Sequence, residues 1–454
     1  MINDTIAAVA TPHGTGGISV IRVSGSDAFT VCDRIFKNPK GKTTSQAKSH
    51  TILYGHIIDA GKTIDEVLVS VMHAPHTFTG ENTVEISCHG GITVTNAVLS
   101  AILTHGAVLA SAGEFTKRAF LNGKMDLSQA EAVIDVINST SSLALDTATH
   151  QLEGSLSREI AILRDRLLDV TAQINVAADY PEEEIDELKE QQLKDILKDV
   201  LNKVNALLKT SERGTLIRDG INTVICGRPN VGKSSLLNAL SDTDRAIVTE
   251  IAGTTRDVIE ERVVLSGVCL NIFDTAGIRD TDNPVESLGI IKAEEYLKKA
   301  DLVLMILDAS CGITDEDRKI AASLDGKKAI LIINKTDLAP NLDVSEFYGR
   351  FPCVALSAKA KTGIDKLGDT ISEMFKLGEI SANGEVTITN LRHKQALAES
   401  AEYLNNAISA IGVVPADLIA IDVTNAISAF GEITGQTVSE EIVDRIFSRF
   451  CLGK

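Results

Sequence analysis

The sequence predicts a multidomain α/β protein with an α+β N-terminal domain, a discontinuous all-α domain and an inserted α/β domain whose sheet is mainly parallel. A chain of 454 residues is too long to fold around one ordinary hydrophobic core. Short strands precede long helical segments in the first half, and apolar strands alternate with helices further on. We predict the domain boundaries at 1–118, 119–219, 220–377 and 378–454.

The N-terminal domain is predicted from short strands that are interrupted by glycine and proline. The strands are TIAAVA, GISVIRVSG, TILYGHII, EVLVSVMHAP and NTVEISCHGG. A helical stretch from Thr93 to His105 follows them. Several strands with one or two helices are typical of a compact α+β domain.

Helical material flanks the inserted domain on both sides. Residues from about 119 to 219 contain a single proline and long stretches of 3.6-residue apolar spacing, and the chain returns to helix after 378. The economical interpretation is one helical domain whose two halves rejoin in space. A separate C-terminal bundle is the alternative.

The inserted domain is predicted from five apolar runs of strand length, INTVIC, VCLNIFD, DLVLMILD, AILIIN and CVALS. Near-continuous apolar strands that alternate with helices indicate a parallel sheet covered on both faces. The first strand runs into GRPNVGKSS, which satisfies the GxxxxGK[ST] pattern from Gly227 to Ser234. Such a loop directs backbone N–H groups at phosphates, while Lys233 reaches the β and γ phosphates and Ser234 offers a hydroxyl to Mg²⁺.

Further motifs follow in the order of a guanine-nucleotide site. Thr254 and Thr255 lie in a predicted switch, DTAG follows the strand CLNIF, NKTD ends the strand AILII, and SAK follows CVAL. Asp337 can accept hydrogen bonds from guanine N1–H and the 2-amino group, a donor pair that adenine lacks. The motifs together predict a Ras-like P-loop GTPase domain. The GTP-binding residues predicted in and beside these motifs are Asn230, Val231, Gly232, Lys233, Ser234, Ser235, Thr254, Thr255, Asp274, Thr275, Ala276, Gly277, Asn334, Lys335, Asp337, Ser357, Ala358 and Lys359.

The residue after DTAG departs from Ras-type enzymes, which have a glutamine that orients the attacking water. Ile278 stands there, and an apolar side chain cannot polarise water. Three nearby carboxylates, Asp280, Asp282 and Glu286, are candidates for this role. A charged surface loop or helix cap is the alternative for each of them.

The composition of the chain limits the class of protein and the compartment in which it is expected. The chain is 44% hydrophobic and 23% charged, and no apolar run approaches the roughly 20 residues of a membrane span. The N-terminus resembles no secretory signal. Seven cysteines without a CxxC pair favour reduced thiols and a cytoplasmic protein. A formal charge of -18 argues against bulk electrostatic binding of nucleic acid, so an RNA contact needs a local basic patch or a basic partner.

Taken whole, the chain resembles the MnmE (TrmE) family of tRNA-modification GTPases. The resemblance rests on ATPHGTGG, GEFTKRAFLNGKMDL, GRPNVGKSS, GTTRD, DTAGIR and the final CLGK. It implies a homodimer formed through a tetrahydrofolate-binding N-terminal domain, and action with the FAD-dependent partner MnmG. The implied reaction adds a carboxymethylaminomethyl or aminomethyl group at C5 of the tRNA wobble uridine U34. The one-carbon unit is expected from 5,10-methylene-tetrahydrofolate, for which 5-formyl-tetrahydrofolate is an analogue.

The resemblance also implies roles for individual residues. Glu286 corresponds to the proposed catalytic glutamate. Cys451 corresponds to a thiol near the one-carbon chemistry, with a buried structural cysteine as the alternative. The implied ligands are Ser234 and Thr255 for Mg²⁺, Asn230, Thr249, Ile251 and Thr254 for K⁺, and Arg22, Glu81, Lys124 and Lys454 for folate. The resemblance also adds Thr249, Glu250, Ile251, Ala252 and Gly253 to the GTP-binding residues.

A second function class stays open. The GTPase motifs are equally consistent with a regulatory GTPase that controls RNA or ribosome assembly without one-carbon chemistry of its own. Binding of folate to the N-terminal domain and the CLGK tail distinguishes the two hypotheses.

Overall fold

The computed structural model describes residues 4–179, 187–243, 261–273, 296–338, 342–377 and 386–454. The chain divides into two compact units. We call Met1–Ile134 with Ser428–Lys454 the N-terminal unit, and Asp135–Ile427 the central unit. The predicted domain boundaries stay a prediction.

The N-terminal unit contains a seven-stranded sheet with the order β3-β4-β5-β6-β2-β1-β7. Its strands are β1 Ile6–Val9, β2 Ile18–Ser24, β3 Phe36–Lys37, β4 Thr51–Asp59, β5 Lys62–Met72, β6 Thr83–His89 and β7 Val108–Leu109. All pairs are antiparallel except β1 with β7. The five longer strands match the predicted ones, whereas the two-residue strands β3 and β7 carry no sequence signal.

One face of this sheet forms the core of the N-terminal unit. Along β5, Val67, Val69 and Val71 are buried while Glu66 and Leu68 are exposed, as the two-residue period of a strand requires. Helices α1 (Ala28–Ile35) and α2 (Ile92–Thr104) cover that face. The predicted helix is therefore confirmed within one residue at each end.

Among the described residues, four further helices begin or end in the N-terminal unit: α3 Glu114–Leu121, α4 Leu127–Asn138, α12 Ala416–Thr434 and α13 Glu440–Phe447. The C-terminal arm, residues 448–454, follows α13. Gly113, at the start of α3, has a φ of +69°, and a Cβ there would lie 2.5 Å from the carbonyl oxygen of Phe447. Only glycine fits this close approach, so the end of α13 is held against the start of α3.

The central unit contains a six-stranded sheet with the order β13-β12-β11-β8-β10-β9. Its strands are β8 Ile221–Cys226, β9 Glu261–Leu265, β10 Val268–Phe273, β11 Leu302–Asp308, β12 Ala329–Asn334 and β13 Cys353–Ala355. Every pair is parallel except β9 with β10. The mainly parallel sheet is thus confirmed, and β9 was missed because an edge strand buries only part of its side chains.

Helices of the central unit lie before, between and after its strands in sequence. They are α5 Ser142–Leu152, α6 Ser155–Asp179, α7 Glu187–Asp219, α8 Lys233–Thr243, α9 Asp315–Ser323, α10 Ile364–Met374, α11 Leu391–Ala410 and α12 Ala416–Thr434, with a 3₁₀ turn at Ser345–Phe347. Helices α7 and α11 pack together. The Ile388 amide donates to Thr210 Oγ1 of α7 at 3.0 Å, which ties the segment before α11 to α7. This packing confirms a discontinuous helical domain with an inserted α/β domain. Among the helices in the described ranges, none has the length and apolar character needed to cross a bilayer.

Candidate functional site

The phosphate loop joins β8 to α8. Gly227 has a φ of +143°, and a Cβ there would lie 2.6 Å from the carbonyl oxygen of Ile306. Asn230 and Gly232 also have positive φ, at 66° and 102°. Lys233 Nζ donates to the carbonyl oxygens of Gly227 and Arg228 at 2.7 and 2.9 Å. The lysine at the first turn of α8 therefore lies over the loop that its motif predicts as a phosphate cradle.

Asn334, at the end of β12, connects three of the predicted motifs. Its Nδ2 donates to the carbonyl oxygen of Val231 at 2.9 Å, and its Oδ1 accepts from the amide of Ala358 at 3.0 Å. The side chain is buried. Because both ends of one amide are bonded, the phosphate loop, NKTD and SAK are held in a fixed arrangement.

Asp337 is the residue predicted to read the guanine base. Its Oδ1 accepts from Ser357 Oγ at 2.6 Å, and that hydroxyl oxygen accepts from the amide of Ala360 at 3.1 Å. The hydrogen bond from Ser357 lowers the pKa of the Asp337 carboxyl. The group is therefore an ionised acceptor at neutral pH, as recognition of the two guanine donors requires.

Lys335 links the base motif to the phosphate loop. Its Nζ donates to the carbonyl oxygen of Asn230 at 2.8 Å and to Asp308 Oδ2 at 2.6 Å. Burial opposes ionisation of Asp308, but hydrogen bonds from Lys335 and Ser310 outweigh it and lower the pKa to about 2. Sequence reasoning missed Asp308, although its position as the last residue of the strand DLVLMILD was an available signal.

Arg228 is a second residue that sequence reasoning missed. This side chain of the phosphate loop donates from Nε to both oxygens of Asp317, at 2.8 and 2.9 Å. Asp317 is fully buried and also completes the capping box of α9 with Thr314. A salt bridge thus fixes the phosphate loop to the start of a neighbouring helix.

The predicted metal ligands are only partly described. Ser234 and Ser235 are exposed in the first turn of α8, and the Asn230 side chain is exposed beside them. Within the described ranges, no cluster of three or more His, Cys, Asp or Glu side chains could hold a metal ion. The predicted residues that lie outside the described ones are Thr249, Glu250, Ile251, Ala252, Gly253, Thr254, Thr255, Asp274, Thr275, Ala276, Gly277, Ile278, Asp280, Asp282 and Glu286.

In the N-terminal unit, Arg22 forms the centre of a second polar cluster. Its Nε and Nη2 both lie 2.9 Å from Glu85 Oε1. The guanidinium also lies 5.3 Å from the ring centroid of Phe78 and 5.6 Å from that of Phe115. Its Nη1 is buried and has no hydrogen-bond partner within the described residues. An orphaned guanidinium nitrogen fits a ligand that brings its own acceptor.

Lys454 belongs to the same cluster. Burial lowers the pKa of its ammonium, and the charge of Arg22 lowers it further, while Glu85 acts in the opposite direction. Gly453 allows this placement, since at a φ of +90° it lies against the backbone of Val9. Two cations beside one carboxylate suit an anionic ligand group.

The remaining predicted residues of the N-terminal unit surround the segment 75–81. Glu81 Oε2 accepts from Ser24 Oγ at 2.8 Å, two residues from Arg22 along β2. Lys124 Nζ donates to the carbonyl oxygen of Pro75 at 3.1 Å. The Cys451 thiol is exposed, which contradicts the alternative of a buried structural cysteine. Arg22, Glu81, Lys124 and Lys454 thus all lie near the end of β2 or the segment that carries Phe78.

Comparisons with known proteins identify relatives of this chain. A model of the MnmE helical domain matches residues 127–451, and a model of the GTP-binding protein TrmE N-terminus matches residues 5–124. The tRNA modification GTPase MnmE of Geobacillus thermodenitrificans (strain NG80-2) is 47% identical over 99% of this chain and 99% of its own. That of Bacillus subtilis (strain 168) is 46% identical over 99% of this chain and 100% of its own. A solved FeoB G-domain from Methanococcus jannaschii is 28% identical and covers 34% of this chain and 96% of its own, with a TM-score of 0.27.

The family models span both units, and the relatives match from end to end. The chain therefore belongs to the MnmE family of tRNA modification GTPases.

Proposed function

We propose that the protein is the GTP-hydrolysing subunit of an enzyme that modifies C5 of the wobble uridine U34 in tRNA. The group added is carboxymethylaminomethyl or aminomethyl, with its one-carbon unit drawn from 5,10-methylene-tetrahydrofolate. The observation that carries the proposal is the cluster of Arg22 and Lys454, because a GTPase that only switches between states needs no second anion site of this kind.

For the nucleotide, each motif has a separate task. Asp337 accepts hydrogen bonds from the guanine edge, and Lys233 turns from the loop carbonyls to the β and γ phosphates. The hydroxyls of Ser234 and Thr255 would hold Mg²⁺. Mg²⁺ supplies positive charge against the phosphates when it is bound. We assign Glu286 the orientation of the attacking water, since Ile278 cannot polarise it.

We assign a K⁺ site to Asn230 with the backbone of Thr249, Ile251 and Thr254. K⁺ supplies positive charge against the transferring phosphate when it is bound, a task that an arginine finger performs in other GTPases. The backbone of Asn230 is fixed by Lys335, which leaves its exposed side chain free to act as a ligand. We expect hydrolysis to be much faster in K⁺ than in Na⁺, measured as phosphate release at equal ionic strength. Equal rates in the two salts would remove this site from the proposal.

For folate, the charges of the N-terminal unit match the two ends of the molecule. The pteridine has a guanidine-like edge that suits the carboxylate of Glu81, whereas the glutamate tail suits Arg22, Lys124 and Lys454. The buried Nη1 of Arg22 supports this assignment because it lacks an acceptor among the described residues. Cys451 is an exposed thiol beside this cluster and is our candidate for a role in the one-carbon chemistry.

The proposed assembly is a cytoplasmic homodimer that acts on tRNA with the FAD-dependent partner MnmG. The net charge of -18 makes a broad electrostatic contact with tRNA unfavourable. We therefore assign part of the tRNA contact to a local basic patch or to the partner.

Nucleoside analysis of tRNA tests the proposal. Cells that lack the gene are expected to contain unmodified wobble uridine, and a plasmid copy is expected to restore the modification. Normal wobble uridine in such cells would contradict the proposal. Failure of the full chain to bind 5-formyl-tetrahydrofolate would instead favour a regulatory GTPase.

A further inference from the structure

Arg118 is a buried cation in the N-terminal unit, with a side chain that is 2% exposed. Its Nη1 donates to the carbonyl oxygen of Asp4 at 2.7 Å and to Glu81 Oε1 and Oε2 at 3.2 and 3.3 Å. Its Nη2 donates to Glu114 Oε1 at 2.9 Å. A buried guanidinium is tolerated only with such partners, so its position is tightly determined.

The carboxylate of Glu81 is fixed by more than this one cation. Its Oε2 also accepts from Ser24 Oγ at 2.8 Å, and Ser24 Oγ lies 2.7 Å from Thr79 Oγ1. Both hydroxyls are fully buried. The Glu81 side chain nevertheless remains 20% exposed. Part of a side chain whose carboxylate is held in place therefore remains accessible to a ligand.

We propose that Arg118 is a positioning residue that holds Glu81 in the orientation required to bind the pteridine of the folate. The amidine-like edge of a pteridine presents a ring N–H and a 2-amino group side by side, which matches the two oxygens of a fixed carboxylate. The inference rests on the proposed folate site. It assigns to Arg118 no contact with the ligand itself.

Glu114 acts as the second anchor of the same guanidinium. Its Oε2 accepts from the amide and the hydroxyl of Ser111 at 2.8 and 2.9 Å. Burial opposes ionisation of Glu114, but these hydrogen bonds and those of Arg118 outweigh it and lower the pKa. Loss of Glu114 removes a partner of Arg118 and leaves every contact of Glu81 in place. Glu114→Gln is thus a matched control for general destabilisation.

The test is a double-mutant cycle on the full-length protein, with 5-formyl-tetrahydrofolate titrated by calorimetry. Arg118→Lys keeps the charge, and Arg118→Gln removes it. We expect Arg118→Gln to weaken binding about 10- to 100-fold, since this matches the free energy that a hydrogen bond to a charged group contributes. In a Glu81→Gln background the same change is expected to have almost no further effect, because Arg118 acts through Glu81. Ser24→Ala removes a different support of Glu81 and is expected to weaken binding in the same manner.

A fragment separates positioning from a purely structural role. The probe p-aminobenzoyl-glutamate carries the tail of folate without the pteridine. Arg118→Lys is expected to weaken binding of 5-formyl-tetrahydrofolate and to leave binding of the fragment unchanged. If Arg118→Gln does not fold, Arg118→Lys and Ser24→Ala complete the cycle.

The outcomes are distinguishable. Suppose that the wild type binds 5-formyl-tetrahydrofolate. If Arg118→Gln then weakens binding equally with Glu81 and with Gln at position 81, or if no Arg118 variant weakens binding, the inference is overturned and the folate site remains. An equal loss for Arg118→Lys and Glu114→Gln on both probes would also overturn it. Absence of saturable binding to the wild type would overturn the proposed folate site and the inference with it.

Discussion

The two candidate sites differ in how the chain assembles them. The nucleotide site is built from loops that follow strands of one parallel sheet, and each loop carries its own motif. The cluster around Arg22 gathers side chains from distant parts of the sequence, as far apart as Arg22 and Lys454. Parallel strands bring their carboxyl ends to one edge, so the sheet itself assembles the first site. The second site depends on tertiary packing of the C-terminal arm.

Substitution of the phosphate-loop lysine is expected to have the largest effect and to separate the two sites. Lys233→Ala removes the cation that contacts the β and γ phosphates. We expect GTP hydrolysis to fall by about 100- to 1000-fold, as for the loss of one group that stabilises a transition state. Binding of 5-formyl-tetrahydrofolate is expected to be unchanged. Phosphate release and calorimetry measure the two quantities.

Lys361→Ala is the control for Lys233→Ala, because Lys361 is an exposed lysine of the same unit. It is expected to hydrolyse GTP at the wild-type rate. A Lys233→Ala variant that retains wild-type hydrolysis would refute the assignment of the phosphate loop.

The next effect concerns the stability of the nucleotide site. Asp308 has a folded-state pKa of about 2, below its unfolded value of about 3.9. Its charge therefore stabilises the fold above the unfolded pKa, and this stabilisation is lost as pH falls through the folded pKa. We expect Asp308→Asn to cost about 2 to 3 kcal/mol of unfolding free energy at pH 7. Denaturant unfolding, followed through the transition that GTP stabilises, measures this free energy.

The difference between Asp308→Asn and the wild type is expected to shrink as pH decreases from about 4 to about 2. Asp315→Asn is the control, since Asp315 lies on the surface in an exposed ion pair with Arg318. Such pairs contribute little. A cost of Asp308→Asn that stays constant across this pH range would show that the ion pair with Lys335 is not its cause.

The smallest of the three effects concerns the cluster around Arg22. Lys454→Gln removes one of two cations and is expected to weaken 5-formyl-tetrahydrofolate binding about 10-fold, with GTP affinity unchanged. Lys42→Gln, at an exposed position of the same unit, is the control and is expected to bind folate normally. Equal folate affinity of Lys454→Gln and wild type would exclude Lys454 from the site.

The same contrast explains what the sequence could predict. Lys233, Asn334 and Asp337 were located from local patterns, because each pattern directly follows a strand whose apolar character is visible. Arg118 was missed, since its importance comes from partners that only the folded chain brings near. Asp308 was missed although it ends the strand DLVLMILD, because its pairing with Lys335 appears only in the folded chain. Arg118 lies within GEFTKRAFLNGKMDL, where its charge alone predicts a surface position.

The fold follows the same rule. Strands with a complete apolar or alternating pattern were predicted, including β8, β10, β11 and β12. The antiparallel edge strand β9 and the two-residue strands β3 and β7 were not. Their pairing is decided by neighbouring strands and not by their own composition.

Recognition of guanine by the loop after β12 can be measured by calorimetry with two nucleotides, GTP and XTP. Asp337→Asn exchanges a carboxylate acceptor for an amide that can donate to the 2-oxygen of xanthine. The wild type is expected to bind GTP more tightly than XTP, and Asp337→Asn is expected to reverse that preference. An Asp337→Asn variant that keeps the wild-type preference for GTP would show that Asp337 does not read the base.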